Sequence, residues 1–207
     1  MTKALIYVCC FLATVSTMII VKPPQVQCDD NSGEVENKKC GTNWTHFQRP
    51  SGGWCMQVFY ENYLNQTEAE ARCQQQQATL SGFQNPQEVE FATATGRSHL
   101  NPSSGSLWFG AKRTQECMKS GLTETCTALN SYAWTDNSAT GTSGFIWSEG
   151  QPANYAREQD CAILTIGPNE RVANFDVGAF DDVGCEIRYN GTNRAIKGYV
   201  CGKKPKN

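Results

Sequence analysis

The chain begins with an uncharged apolar run, residues 4 to 21, ALIYVCCFLATVSTMIIV, behind a single lysine at position 3. That layout is the one a secretory signal has, and Ala13, Ser16 and Thr17 offer small-residue cut sites. The other reading is a type II signal anchor, since 18 residues stand at the lower edge of the ~17 to 25 that span a bilayer and Cys9 and Cys10 would be open to acylation. Residues 22–39, KPPQVQCDDNSGEVENKK, mix proline, charge and small polar residues without helical or strand period and read as a flexible stem. From Trp44 on, aromatic and β-branched residues recur in short runs, WCMQVFY, SLWFGAK, YAWT, FIW and AILTI, which suit strands of a half-buried sheet. Two helices are announced by their caps. Thr67 and Glu70 form a capping box at the start of EAEARCQQQQ, while Asn85, Pro86 and Glu88 open PQEVEFATAT, with Gly96 just past its end. Beyond about residue 114 the helical period stops and glycine, serine, threonine and asparagine dominate. The pattern predicts an α+β domain whose loop-rich half is C-terminal.

Charge narrows the partners. With 18 basic and 20 acidic residues among 207, the chain has a net charge of -2 and no basic stripe for a phosphate backbone, so nucleic acid is not expected. Cysteine narrows the compartment. Nine of the 11 cysteines lie beyond the leader, at 28, 40, 55, 73, 117, 126, 161, 185 and 201. None of the nine forms a C-x2-C pair, and His46 and His99 are the only histidines, so disulfides in an exported protein are expected instead of a zinc module. The sequons at Asn43, Asn65 and Asn190 agree with an extracellular, glycosylated product that has no membrane span once the signal is removed.

Several stretches in order resemble the C-type lectin-like domain. SGGWCMQVFYENYLNQTEAEARC resembles its opening strand and first helix, LWFGAKR its central strand, and FIWSEGQPANYAREQDCAIL, FDDVGC and GYVC its long loop and last strands. The resemblance covers about residues 40 to 203 and rests on order and spacing, not on any one motif. It implies a small secreted long-form member with two helices, two small antiparallel sheets and a long loop region, occupying 40–207. It also implies disulfides Cys73 to Cys201, Cys161 to Cys185 and, in the N-terminal hairpin, Cys40 to Cys55. Cys117 and Cys126 remain as a local pair flanking MKSGLTET, which the resemblance does not itself imply, and Cys28 is left over in the stem.

Sugar-binding members of that family hold one calcium ion through a Glu-Pro-Asn or Gln-Pro-Asp triplet, a glutamate before a cysteine, and an Asn-Asp pair after a tryptophan. Those positions here are Gln151, Pro152 and Ala153, then Gln159, then Asp181 and Asp182 after Phe180. Calcium wants ~6 to 8 oxygens, several from carboxylates, and Ala153 offers a methyl group while Gln159 offers an uncharged amide. Asn154 and Glu158 are ligand types one residue away from the two defective positions and would serve as replacements if the loop tightened. The resemblance thus implies a partly degraded calcium and sugar site, with Gln151, Asn154, Tyr155, Asp181 and Asp182 as its ligand-binding residues. Tyr155 is included because an aromatic in a polar loop stretch is placed to meet a ligand.

Three functions follow. The first is recognition of a glycan or glycoprotein surface through the partly degraded calcium site, a role that in small secreted lectin-like proteins goes with innate immunity. The second is calcium-independent binding of a protein by the same loops, which Ala153 favours. The third is a hydrolase built on Asp176, Asp181, Asp182 or Glu186. A row of acids in a polar loop is more often solvated or metal-facing, and the chain has no G-x-S-x-G elbow. Trp108, Trp134 and Trp147 sit in apolar runs and are expected in the core. A recognition module, not an enzyme, is the expectation. Cys28 adds a prediction. An exported thiol without an intrachain partner joins a second chain, so non-reducing electrophoresis should show a disulfide-linked homodimer that Cys28→Ser abolishes; a monomer band for both would refute it.

Overall fold

The computed structural model describes residues 39–100, 104–167, 171–172, 175–188 and 194–206; the expected leader, the stem with Cys28, and Asn190 lie outside them. Among these residues two full helices, α1 (Gln66–Gln75) and α2 (Pro86–Leu100), accompany ten strands. The strands are β1 (Thr45–Arg49), β2 (Gly52–Phe59), β3 (Thr79–Leu80), β4 (Gly105–Arg113), β5 (Tyr132–Trp134), β6 (Cys161–Ile166), β7 (Arg171–Val172), β8 (Phe175–Asp176), β9 (Phe180–Val183) and β10 (Ile196–Lys203). This is the expected α+β class with two sheets. One is an eight-stranded sheet in the order β1-β2-β10-β4-β6-β9, with β3 on β10 and β5 on β4; the other is the β7-β8 pair. The larger sheet is mixed, not purely antiparallel, because β10 runs parallel to β4. No helix among the described residues is long and apolar enough to cross a membrane.

The elements depart from the sequence pattern at three places. Helix α1 starts two residues before the expected Glu68. Asn65, not Thr67, is its cap: Asn65 Oδ1 accepts from the Glu68 amide at 2.8 Å while the Glu68 carboxylate accepts from the Asn65 amide at 2.9 Å. Glu70 is thereby free to take the Leu80 amide at 2.7 Å and the Thr79 hydroxyl at 2.9 Å, which fixes β3 against the helix. Helix α2 begins at Pro86 as expected, with Asn85 Oδ1 accepting from the Glu88 amide, but it runs past Gly96. Gly96 packs on Ile166, where a Cβ would stand 3.2 Å from three side-chain carbons, so this glycine serves close helix–sheet packing and not termination. The FIW run forms no strand, and only Trp147 bridges Phe180.

Alternation along β4 divides the core between its two faces. Leu107, Phe109 and Ala111 join Phe83, Leu164 and Phe180 on one side, while Trp108 meets Leu64, Ile163 and the Cys73–Cys201 pair on the other. Trp108 is sealed from water and donates its indole N–H to the Leu64 carbonyl at 2.8 Å; Trp134 and Trp147 are partly buried against the first cluster. Helix α1 contributes only Gln66, Ala69 and Cys73 to burial, so apolar packing alone holds it weakly. Its anchor is the Cys73–Cys201 disulfide to β10, across a separation of 128 residues, which constrains the unfolded chain by about 4–5 kcal/mol in a chain-entropy estimate. Disulfides also join Cys40 to Cys55, Cys117 to Cys126 and Cys161 to Cys185, the same partners named from the sequence.

Arg49, at the end of β1, is wholly buried among polar partners. Its Nε and Nη2 donate to both Glu88 oxygens at 2.9 and 2.7 Å, Nη1 donates to Asp136 at 2.9 Å, and the guanidinium lies 4.8 Å from the Trp54 ring. One cation therefore ties β1, α2 and the loop after β5 together. Arg49→Ala would strand two carboxylates without water, and urea unfolding should register a loss of about 3–5 kcal/mol. Arg49→Lys should recover only part of it, because an ammonium lacks the two-pronged contact with Glu88.

Candidate functional site

The loop from 147 to 160 leaves the sheet beside β9 and returns at β6. Its base is fixed where the Ser148 amide donates to the Phe180 carbonyl at 3.0 Å, and the Gln151–Pro152 bond is cis. Asn154, Ala156 and Arg157 then take left-handed backbone angles, φ 50°, 55° and 60°. For residues with a Cβ such angles cost of the order of 1 kcal/mol or more each and persist only where the surroundings hold them.

What holds them is a web centred on Asp182. Its Oδ1 accepts from the Ala153 amide at 3.0 Å, and its Oδ2 accepts from the Asn154 amide at 2.7 Å and from Arg113 Nη2 at 2.5 Å. Burial pushes the Asp182 carboxyl above its ordinary range, opposed by the Asn154 amide, Arg113 and the Ala153 amide. Arg113, likewise sealed from water, donates Nε to the Gln159 carbonyl at 2.8 Å and lies 4.7 Å from the Tyr132 ring. The Tyr132 hydroxyl donates to that same carbonyl at 2.8 Å, and its own burial raises its pKa.

The remaining expected ligands are engaged in the same web. Gln151 Oε1 accepts from the Ala153 amide at 2.9 Å. Gln159 Nε2 donates to the Asp182 carbonyl at 2.5 Å while its Oε1 accepts from the Tyr155 amide. Asn154 is buried, donates Nδ2 to the Met118 and Ser120 carbonyls at 3.1 and 2.8 Å, and accepts at Oδ1 from the Gln159 amide at 3.2 Å. It thus joins the loop to the segment closed by Cys117–Cys126. That segment lies close, since a Cβ on Gly121 would stand 2.8 Å from the Ala153 carbonyl oxygen.

Gln151, Asn154, Gln159 and Asp182 are thus brought together, while Asp181 stands apart from them. Adjacent strand residues face opposite sides, and Asp181 pairs there with Arg194. Burial pushes the Asp181 carboxyl up to about 7 against the pull of Arg194. Glu158 is exposed and the Ala153 methyl faces solvent. As arranged, these residues do not fit a calcium ion. The Asp182 oxygens are occupied by N–H donors, and a guanidinium stands where a second positive charge would have to come. Among the described residues no group of three or more His, Cys, Asp or Glu side chains is disposed to hold a metal.

The residue missed by sequence reasoning is Arg113. A signal for it existed: Leu107, Phe109, Ala111 and Arg113 share one parity along β4, which puts the arginine on a core-facing position. Of the expected ligand-contacting side chains, Tyr155 stands out at 80% exposure. Asn43 is exposed, whereas Asn65 is buried and its amide is committed to Glu68 and, at 2.7 Å, to Glu186.

A family model described as C-type lectin domain-containing protein 141/158 matches residues 44–204. Among solved structures, the mouse scavenger receptor C-type lectin carbohydrate-recognition domain is 19% identical with a TM-score of 0.50, over 81% of this chain and 98% of that one. The C-type lectin CEL-I from Cucumaria echinata is 18% identical with a TM-score of 0.53, over 79% and 96%. Herring type II antifreeze protein is 18% identical with a TM-score of 0.51, over 81% and 100%. At these identities the likeness is one of fold.

The web around Asp182 makes a local prediction. Arg113→Lys keeps a charge but not the fork that reaches Asp182 and Gln159 together, so the loop should open more often. Trypsin should then cut after the exposed Arg157 faster in the variant than in the wild type; equal rates would mean that Arg113 does not hold the loop.

Proposed function

The chain belongs to the C-type lectin domain-containing protein 141/158 family, and from that premise we propose that it is an extracellular recognition module whose long loop binds a glycan or protein surface without calcium. Members of this family are binding modules and not enzymes. One observation carries the calcium-free reading: Asp182, Gln159, Asn154 and Gln151 are all committed to protein donors or acceptors, with the Arg113 guanidinium supplying the positive charge on Asp182. Fold alone does not choose the ligand, since the similar structures include a carbohydrate-recognition domain and an antifreeze protein.

The contact residue is Tyr155. Its ring projects from a loop whose strained turn is fixed from both sides, by Asn154 and by Gln159, so little ordering cost remains to be met on binding. An aromatic ring with a hydroxyl at its tip suits both the apolar face of a sugar and a protein surface. Secretion, a glycan on the exposed Asn43 and pairing through Cys28 complete the proposal; a second copy would raise avidity for a multivalent surface.

Glycan and protein arrays probed in millimolar calcium and again in chelator test the reading. Binding should persist in chelator, and Tyr155→Ala should weaken it about 10-fold or more, the scale of a buried aromatic anchor. Binding that disappears with chelator would restore the calcium-dependent alternative, and binding unaffected by Tyr155→Ala would move the site elsewhere.

A further inference from the structure

At the hairpin between β1 and β2, away from the long loop, is a cavity of about 320 Å³ lined by Lys39, Gln48, Ser51, Gly52, Gly53, Lys204, Pro205 and Lys206. No acidic side chain lines it. Two features of the sequence build it. Lys204, Pro205 and Lys206, which follow β10, all line the cavity, and the Lys206 amide donates to the Lys39 carbonyl at 3.0 Å. Its floor is the Gly52–Gly53 backbone. A Cβ on Gly53 would stand 2.7 Å from His46 Nε2 and 2.9 Å from the Pro205 ring, so the cavity depends on a bare glycine there.

The positive charge is concentrated. Neither Lys204 nor Lys206 forms an ion pair with a carboxylate among the described residues. Lys203 stands next to them, its ammonium 3.8 Å from the Trp44 ring, and its pKa is lowered by burial and then by the charge of Lys206. Three lysines on one cavity without an acidic side chain in its lining, in a protein with a net charge of -2, make a site that favours an anion.

We propose that this cavity is a second binding site, for a saccharide bearing sulfate or carboxylate groups. The size and chemistry of the lining choose that class. The volume is at the small end of ligand pockets, which suits one or two sugar units more than a long polymer backbone. No aromatic side chain lines the cavity for base stacking, as a single-stranded nucleic acid would use, and no exposed apolar side chain lines it for membrane insertion. Lysines act as point charges that meet an anion from varied directions, while the Ser51 hydroxyl and the Gln48 amide are of the kind that hydrogen-bond sugar hydroxyls. The site is independent of the long loop.

The test is titration of the full chain, in chelator, with a sulfated uronate-containing oligosaccharide, its desulfated counterpart, a neutral oligosaccharide, inorganic sulfate and a single-stranded oligonucleotide of matched charge. The wild type should bind the sulfated oligosaccharide and not the neutral one. The desulfated sample then tells sulfate from carboxylate recognition, either result being consistent with the site. Lys204→Gln with Lys206→Gln, both at exposed positions, should weaken binding about 10-fold or more, and raised salt should do the same. Tyr155→Ala should leave this binding unchanged, so failure at the long loop would not remove it. Equal binding by the lysine variant, equal binding by the oligonucleotide, or inorganic sulfate matching the oligosaccharide at equal sulfate concentration would each overturn the proposal.

Discussion

A guanidinium sealed from water must be surrounded by acceptors, and that requirement organises this domain twice. Arg49 draws Glu88 and Asp136 in from separate elements, and Arg113 draws in Asp182 and the Gln159 carbonyl. Each cation collects partners far apart in sequence and fixes their relative position through directed hydrogen bonds. The second cluster matters more for recognition. It leaves the long loop fixed from beneath, with Ala153 and the crest from Tyr155 to Glu158 turned to solvent.

A metal ion and an arginine solve the same problem differently. An ion can be shared among oxygens from several segments, but it arrives and leaves with solution conditions. Arg113 is attached to β4 and is present in every copy of this chain. Its five donors need acceptors in a plane, which explains why the loop turns its carbonyls and Asp182 inward and why Asn154, a candidate replacement ligand by sequence, is spent on the Met118 and Ser120 carbonyls instead.

Much of the architecture was legible in the chain itself. Short apolar runs marked β2, β4, β5 and β6, half of the large-sheet strands, and the resemblance carried three of the four cysteine pairs, since those positions stand at fixed places in one fold. What could not be read were choices among near-equivalent local options. Asn65 and Thr67 both head an acceptable capping box; the structure takes the one that frees Glu70 for β3. Gly96 reads as a stop until Ile166 is known to press on it. Asp181 and Asp182 read as one pair of ligands, yet strand alternation sends them to opposite faces, to Arg194 and to Arg113. Parity along β4 would have exposed Arg113, but a lone basic residue ending an apolar strand reads first as its solvated end.

The position of β10 also has a mechanical side. Tension entering from the stem side reaches Cys40, crosses the disulfide to Cys55 and arrives in β2, whose ladder with β10 must slide as a whole before it gives way. The Cys73–Cys201 link adds to that resistance by clamping β10 to α1. The long loop hangs from β6 and β9, at the other edge of the sheet beyond β4, and lies off the line of force. A domain built in this order can bear force at Cys40 while the geometry of its crest stays as it was at rest.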